Sequence, residues 1–130
     1  MTLKVESLRS INWNAVDPRA AERFYTEVLN GQVLRRMHIR GTEVADVALG
    51  NVVLGLFDAS AQPAPGVPHH TLQMAWPNDE ATARAELEGA GVTVEGSRVH
   101  GPGPGFSLYV TDPLGNALEL AWDPPGSAHG

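Results

Sequence analysis

Hydrophobic and polar residues alternate on both sides of a turn signal near the carboxyl end of the chain. The large apolar positions of this stretch are Leu108, Val110, Leu118, Leu120 and Trp122. Alternation with a period of two predicts two β-strands whose apolar side chains share one face. Residues 112–116, Asp-Pro-Leu-Gly-Asn, have the composition of a tight turn. The resulting hairpin places Glu119 on the face opposite the apolar set.

The position of Glu119 in the middle of a strand has two interpretations. A carboxylate is costly to bury unless another group pairs with it. Either this face is solvated, or it is a concave surface that holds a ligand.

The first half of the chain alternates, changes to helical spacing and then alternates again. Residues 8–15 predict a strand, and Asp17 and Pro18 are a helix cap and a first helical residue. The helix is expected to run to Leu29 and to end at Gly31. Its predicted core-facing stripe consists of Ala21, Phe24, Tyr25, Val28 and Leu29. Three further strands are predicted at Gln32–Ile39, Glu43–Leu49 and Val52–Asp58.

The same order of elements returns after a proline-rich linker at residues 59–68. The predicted elements are a strand at His69–Trp76, a helix from residue 79 to about Ala90, a strand at Val92–His100 and the hairpin. The chain is therefore predicted to be a single α+β domain, residues 1–130, of two tandem βαβββ modules. Module one spans about 8–58 and module two about 69–123. Each module buries one sheet face under its helix.

Composition excludes several classes of function. The chain has 130 residues, a net charge of −6 and no cysteine. An acidic protein is a poor binder of nucleic acid, although it is compatible with a cationic ligand. No apolar run approaches the roughly 20 residues of a membrane-spanning helix, and the amino terminus lacks the apolar run of a signal peptide. We therefore expect a soluble cytoplasmic protein that contacts neither nucleic acid nor membrane.

Two stretches give the sequence a family resemblance. The resemblance lies in Asp17–Pro18 with Phe24–Gly31, and in Asp112–Leu120. The sequence resembles the vicinal oxygen chelate superfamily, which includes glyoxalase I, bleomycin-resistance proteins and extradiol dioxygenases. The resemblance implies a cupped eight-stranded mixed sheet with the helices on its outer face. It also implies a homodimer, with the cleft formed either within one chain or across the dimer.

The resemblance further implies a divalent metal held from the first and last strand of each module. His69 and Glu119 match two of these positions, whereas Ser10 and Gly55 replace the other two usual ligands. Catalytic metals are normally held by three or more protein ligands. A tightly held metal is therefore not expected, although a loosely held divalent ion at His69 and Glu119 is possible. His100, beside a glycine–proline loop, is expected to be structural or solvated.

Strand parity predicts a mixed pocket for a small organic molecule, in which Gly55 leaves room for the ligand. The candidate ligand-binding residues are Ser10, Asn12, Asn14, Phe57, His69, Thr71, Gln73, Tyr109 and Glu119. The alternative is that these polar groups only satisfy one another inside a filled sheet.

Two functions are compatible with this pocket. The first is a small-molecule-binding protein of the glyoxalase/bleomycin-resistance type, of the drug-sequestering kind and without a tightly held metal. The second is an enzyme in which His69 and Glu119 are catalytic, either as a lyase, isomerase or dioxygenase with a loosely held metal or as a metal-free acid–base pair. The identity of the ligand is not encoded in any residue pattern.

Overall fold

The computed structural model describes residues 3–77 and 79–126. The chain divides into two compact units: residues 9–70 form the first unit, and residues from 71 onward, with the amino-terminal residues up to Leu8, form the second unit. In chain order the elements are β1 (Val5–Ala15), α1 (Pro18–Arg23), a π-helical turn (Phe24–Val28), β2 (Gln32–Ile39), β3 (Thr42–Leu49), β4 (Val52–Asp58), β5 (His69–Met74), α2 (Glu80–Gly89), β6 (Gly96–Val99), β7 (Phe106–Thr111) and β8 (Ala117–Trp122).

The first unit contains four strands in the order β2-β3-β4-β1. β1 runs parallel to β4, and the other neighbouring pairs are antiparallel. Asp17 caps α1, since its carboxylate accepts a hydrogen bond of 3.1 Å from the Ala20 amide. The buried core under this helix consists of Ala15, Val47, Leu54 and Leu56.

The predicted stripe of the first helix is partly wrong. Tyr25 packs against the core as expected, but Phe24, Val28 and Leu29 are exposed. The reason is the π-helical turn, in which the Leu29 amide bonds to the Phe24 carbonyl five residues back. A wider turn changes the angle between successive side chains, so the 3.6-residue spacing no longer tells which face each occupies.

The second unit contains four strands in the order β5-β8-β7-β6. Its core lies beside α2, which Asp79 caps through a 2.7 Å hydrogen bond from the Thr82 amide. The buried apolar residues are Met74, Ala83, Leu87, Phe106, Leu108, Val110, Leu120 and Trp122. The apolar face predicted for the hairpin therefore lies in the core. The strand predicted at Val92–His100 is shorter, because residues 92–95 lead irregularly from α2 into β6.

The elements confirm the α+β class with two tandem βαβββ modules. None of the helices in the described ranges is both long and apolar enough to cross a membrane.

The hairpin turn predicts a pH dependence. Hydrogen bonds from the Asn116 side chain and backbone, and from the Leu114 amide, hold the pKa of Asp112 below its usual value. Because the folded-state pKa is depressed, the stabilisation is present above the unfolded-state pKa of about 3.9 and is lost as the pH falls through the folded-state value. We expect Asp112→Asn, which keeps the acceptor oxygen, to flatten the fall in melting temperature between pH 5 and 2.5. An identical pH profile in the wild type and the variant would contradict this.

Candidate functional site

Glu119 lies in the middle of β8, opposite Tyr109 of β7, and is only 7% exposed. Its Oε2 accepts hydrogen bonds from the Ser107 hydroxyl at 2.7 Å and from Arg98 Nη2 at 3.2 Å. Its Oε1 accepts a bond of 3.3 Å from the Thr71 hydroxyl. Both oxygens of this buried carboxylate are therefore engaged by protein donors, as a buried charge requires.

A further layer of polar side chains lies behind Glu119. Ser107 Oγ is 2.7 Å from His100 Nε2, and His100 Nδ1 is 2.8 Å from Asp123 Oδ1. Ser107 has no exposed surface, and the side chains of His100 and Asp123 are almost completely buried. The order Ser–His–Asp is that of a hydrolase triad, but a serine without exposed surface cannot attack a substrate. These residues therefore support Glu119.

Three consecutive hydrogen bonds set the smallest number of hydrogens that this group of side chains shares. Each bond needs one hydrogen, an ionised carboxylate only accepts, and the Ser107 hydroxyl supplies one hydrogen. Asp123, His100 and Glu119 therefore supply at least two more between them, and the Arg98 guanidinium lies beside Glu119 at one end of this series.

Arg98 is the outermost member of the cluster, and its side chain is 54% exposed. Its Nε donates a 3.2 Å hydrogen bond to the Tyr109 hydroxyl. Burial acts to lower the pKa of Arg98, but the hydrogen bond to Tyr109 and the negative charges that Tyr109 and Glu119 can carry raise it overall. The guanidinium is therefore a permanent cation at the edge of a buried acidic group.

Thr71 and Gln73 are both buried on β5, and strand parity placed them on the face of Glu119. The contact between Thr71 and Glu119 confirms the predicted parity for this pair. The Gln73 amide donates a long bond of 3.4 Å to the Met74 carbonyl.

In the first unit, the space predicted beside Gly55 is filled. Asn12 is paired with Gly55 across β1 and β4, and a Cβ atom built on Gly55 would clash with the Asn12 side-chain oxygen. The Asn12 amide nitrogen donates a 3.3 Å bond to the Ser10 hydroxyl. The expectation that Gly55 leaves room for a ligand is therefore wrong, because a polar side chain of the neighbouring strand occupies that room.

Asn14 fixes the linker. Its amide nitrogen donates to the Val67 carbonyl at 3.0 Å, and its oxygen accepts from the Ala64 amide at 2.8 Å. Both polar atoms of this side chain thus serve the fold, and we do not include Asn14 in the site proposed below.

His69 and Phe57 contact each other edge to face in the first unit, with ring centroids 6.2 Å apart. His69 Nδ1 lies 3.1 Å from the Gly66 carbonyl, so this nitrogen carries a hydrogen.

The donor set does not fit a tightly held divalent metal. Ser10 and Gly55 supply no carboxylate or imidazole, and Glu119 already accepts from three protein donors. Among the residues that the structure describes, no three His, Cys, Asp or Glu side chains form a group that could hold a metal ion.

Sequence reasoning missed Arg98, Ser107 and Asp123 and judged His100 to be structural or solvated. Ser107 had a detectable signal, since it shares the parity of Tyr109 on β7. Arg98 had none, because its position opposite Ser107 depends on where β6 begins. His100 and Asp123 lie just beyond the ends of β6 and β8, where alternation makes no prediction.

The protein is of the α+β class and consists of two tandem βαβββ modules, and one strand face carries the polar cluster around Glu119. The chain belongs to the Glyoxalase/Bleomycin resistance protein/Dioxygenase superfamily, whose family model matches residues 7–120. The resemblance to the vicinal oxygen chelate superfamily is thereby confirmed. No curated protein has a significant sequence match to the chain.

Solved structures support the same fold at low sequence identity. Methylmalonyl-CoA epimerase from Mycobacterium tuberculosis is 16% identical, with a TM-score of 0.69 and coverage of 93% of this chain and 90% of that one. A superfamily member from Vibrio splendidus 12B01 is 13% identical, with a TM-score of 0.63 and coverage of 94% and 100%. The 2,2',3-trihydroxybiphenyl 1,2-dioxygenase from Sphingomonas wittichii strain RW1 is 20% identical, with a TM-score of 0.63 and coverage of 89% of this chain but 42% of that one.

Proposed function

We propose that the protein binds a small organic molecule on the strand face of the second unit that carries Glu119, and that it does so without a tightly held metal. The binding surface consists of Arg98 and Tyr109, supported by Thr71, Gln73, Ser107 and Glu119. A homodimer and a cytoplasmic location stay predictions.

The observation that carries this proposal is the set of donors around Glu119. A carboxylate whose oxygens already accept from Thr71, Ser107 and Arg98 is fixed in place by the protein. A buried polar network whose members are all hydrogen-bonded holds its side chains in one arrangement, as a binding site requires. Small-molecule sites typically combine apolar surface with a few placed polar groups.

The test is a calorimetric and thermal-shift screen of protein purified without a metal-binding tag, together with its metal content. The screen contains planar aromatics, cationic glycopeptides and organic acids, and separately Zn²⁺, Ni²⁺ and Mn²⁺. We expect at least one organic compound to bind saturably and to lose affinity in Glu119→Gln. Stoichiometric metal that Glu119→Gln removes, with no organic compound bound, would contradict the proposal.

A second candidate is a metal-free acid–base enzyme, and the hydrogen-bond chain behind Glu119 favours it. Hydrogen bonds connect the imidazole of His100 to Glu119 through the Ser107 hydroxyl. A histidine held by a carboxylate is a common proton carrier. Solved structures of the same fold include epimerases for methylmalonyl-CoA, which makes proton transfer next to a carbonyl group a reasonable reaction class. Deuterium exchange into a bound organic acid, abolished by Glu119→Gln, would support the enzyme over the binder.

A further inference from the structure

Two hydrogen-bond donors beside Glu119 have no acceptor among the described residues. A guanidinium has five N–H groups, and the bonds of Arg98 to described residues use one on Nε and one on Nη2. The Tyr109 hydroxyl accepts from Arg98, so its own hydrogen is left to donate. Arg98, through Nη1, and the Tyr109 hydroxyl that its Nε contacts are therefore two groups that both offer hydrogens.

We propose that the ligand carries an anionic oxygen, a carboxylate in particular, which Arg98 and Tyr109 bind. This inference rests on the proposed function and names the chemical class of its ligand. A carboxylate is acceptor-only and matches the planar fork of a guanidinium with two parallel hydrogen bonds.

The charges around Glu119 favour an anion over the cation that the acidic composition suggested. The acidic group of Asp123, His100, Ser107 and Glu119 lies buried, whereas Arg98 lies outside it and is 54% exposed. An approaching ligand therefore meets the guanidinium first. Coulomb interactions fall with distance, so the nearer positive charge dominates.

Arg98 is also held ready for binding. Its guanidinium is fixed at two points, by Tyr109 on Nε and by Glu119 on Nη2. Immobilising a long side chain costs entropy on binding, and a side chain that is already fixed avoids most of that cost. Arg84, by contrast, has a single surface ion pair with Glu80 one helical turn away, and this makes it a matched control of equal charge.

The test compares organic acids with their primary amides by calorimetry at constant ionic strength. The pairs are benzoate and benzamide, phenylacetate and phenylacetamide, and hexanoate and hexanamide. We expect the acids to bind at least about tenfold more tightly, in line with charge-assisted hydrogen bonds. Arg98→Met should weaken acid binding at least about tenfold, whereas Arg84→Met should leave it unchanged. Tyr109→Phe, which removes one hydroxyl, should weaken it several-fold.

The outcomes separate this inference from the proposed function. Amides that bind as tightly as the acids, or equal effects of Arg98→Met and Arg84→Met, would overturn the anion inference and leave the binding function standing. No binding by any acid or amide would overturn the proposed function instead. Should Arg98→Met fail to fold by circular dichroism, Tyr109→Phe decides the inference by the same comparison.

Discussion

Glu119→Ala is expected to lower the free energy of unfolding by about 3 kcal/mol, since it removes the common acceptor of three buried or half-buried donors. Ser107 has no exposed surface and cannot turn to water for a replacement partner. Thr71 is also buried, so its hydroxyl loses its acceptor as well. Arg98 is half exposed and recovers hydration, which limits the loss. Urea unfolding, with both transitions extrapolated to water, measures the difference.

Glu119→Gln is the matched control, because the amide keeps the shape and one accepting oxygen. Its nitrogen can donate to the Thr71 hydroxyl while its oxygen accepts from Ser107, so only the charge facing Arg98 is lost. We expect a cost of about 1 kcal/mol. Equal costs for the alanine and glutamine variants would show that the charge, and not the hydrogen-bond geometry, holds the cluster. A cost below about 0.5 kcal/mol for Glu119→Ala would mean that the carboxylate is not engaged as described.

Gly55→Ala is expected to destabilise the protein by about 2 kcal/mol through overpacking. The added Cβ would clash with the side-chain oxygen of Asn12 and come to 3.4 Å from the Phe57 ring. Asn12 is buried between strands and has little freedom to withdraw. The measurement is again chemical denaturation.

A double-mutant cycle identifies the cause. Asn12→Ala removes the clashing oxygen, so Gly55→Ala in that background should cost at least about 1 kcal/mol less than in the wild type. Gly89→Ala, at the end of α2 with no atom within 4 Å of the added methyl, serves as the control. We expect that variant to be neutral or stabilised by about 0.5 kcal/mol. Additive effects of Asn12→Ala and Gly55→Ala would contradict the packing described here.

The part of the candidate site that the sequence predicted is the part governed by strand parity. Thr71, Tyr109 and Glu119 share a face because side chains in a strand alternate with a period of two. The Asp112–Asn116 turn set the register of β7 against β8, and a register slip of one residue would have moved Glu119 to the core side.

The rest of the site depends on packing that no local pattern contains. His100 reaches Ser107 from a loop, and Asp123 reaches His100 from the residue after β8. Gly105 permits that approach, since a Cβ there would clash with the Asp123 carboxylate and lie 3.1 Å from His100 Nδ1. A glycine in a proline-rich loop gives no sign of such a neighbour, so the contact of His100 with Ser107 could not be predicted.

In the first unit, strand parity predicted which residues share a face, but the further inference that Gly55 leaves open space was wrong. Asn12 and Gly55 are paired across β1 and β4, a pairing that the sequence did not predict, and the glycine was interpreted as open space. Whether a missing side chain leaves a void depends on what the partner strand places there, and here it is the Asn12 amide. The helix stripe failed for a related reason, since a π-helical turn at Phe24–Val28 leaves no mark in the spacing of apolar residues.

We propose that the strand face around Glu119 binds an organic acid and not a metal. One NMR titration tests it most directly, with uniformly ¹⁵N-labelled, tag-free protein given benzoate in one series and Mn²⁺ in another. We expect saturable shifts of the Arg98 Nε–H resonance and of the β6–β8 amides with benzoate, and no selective broadening there with Mn²⁺. Selective broadening around Glu119 at substoichiometric Mn²⁺, with no benzoate-induced shift on this face, would contradict it.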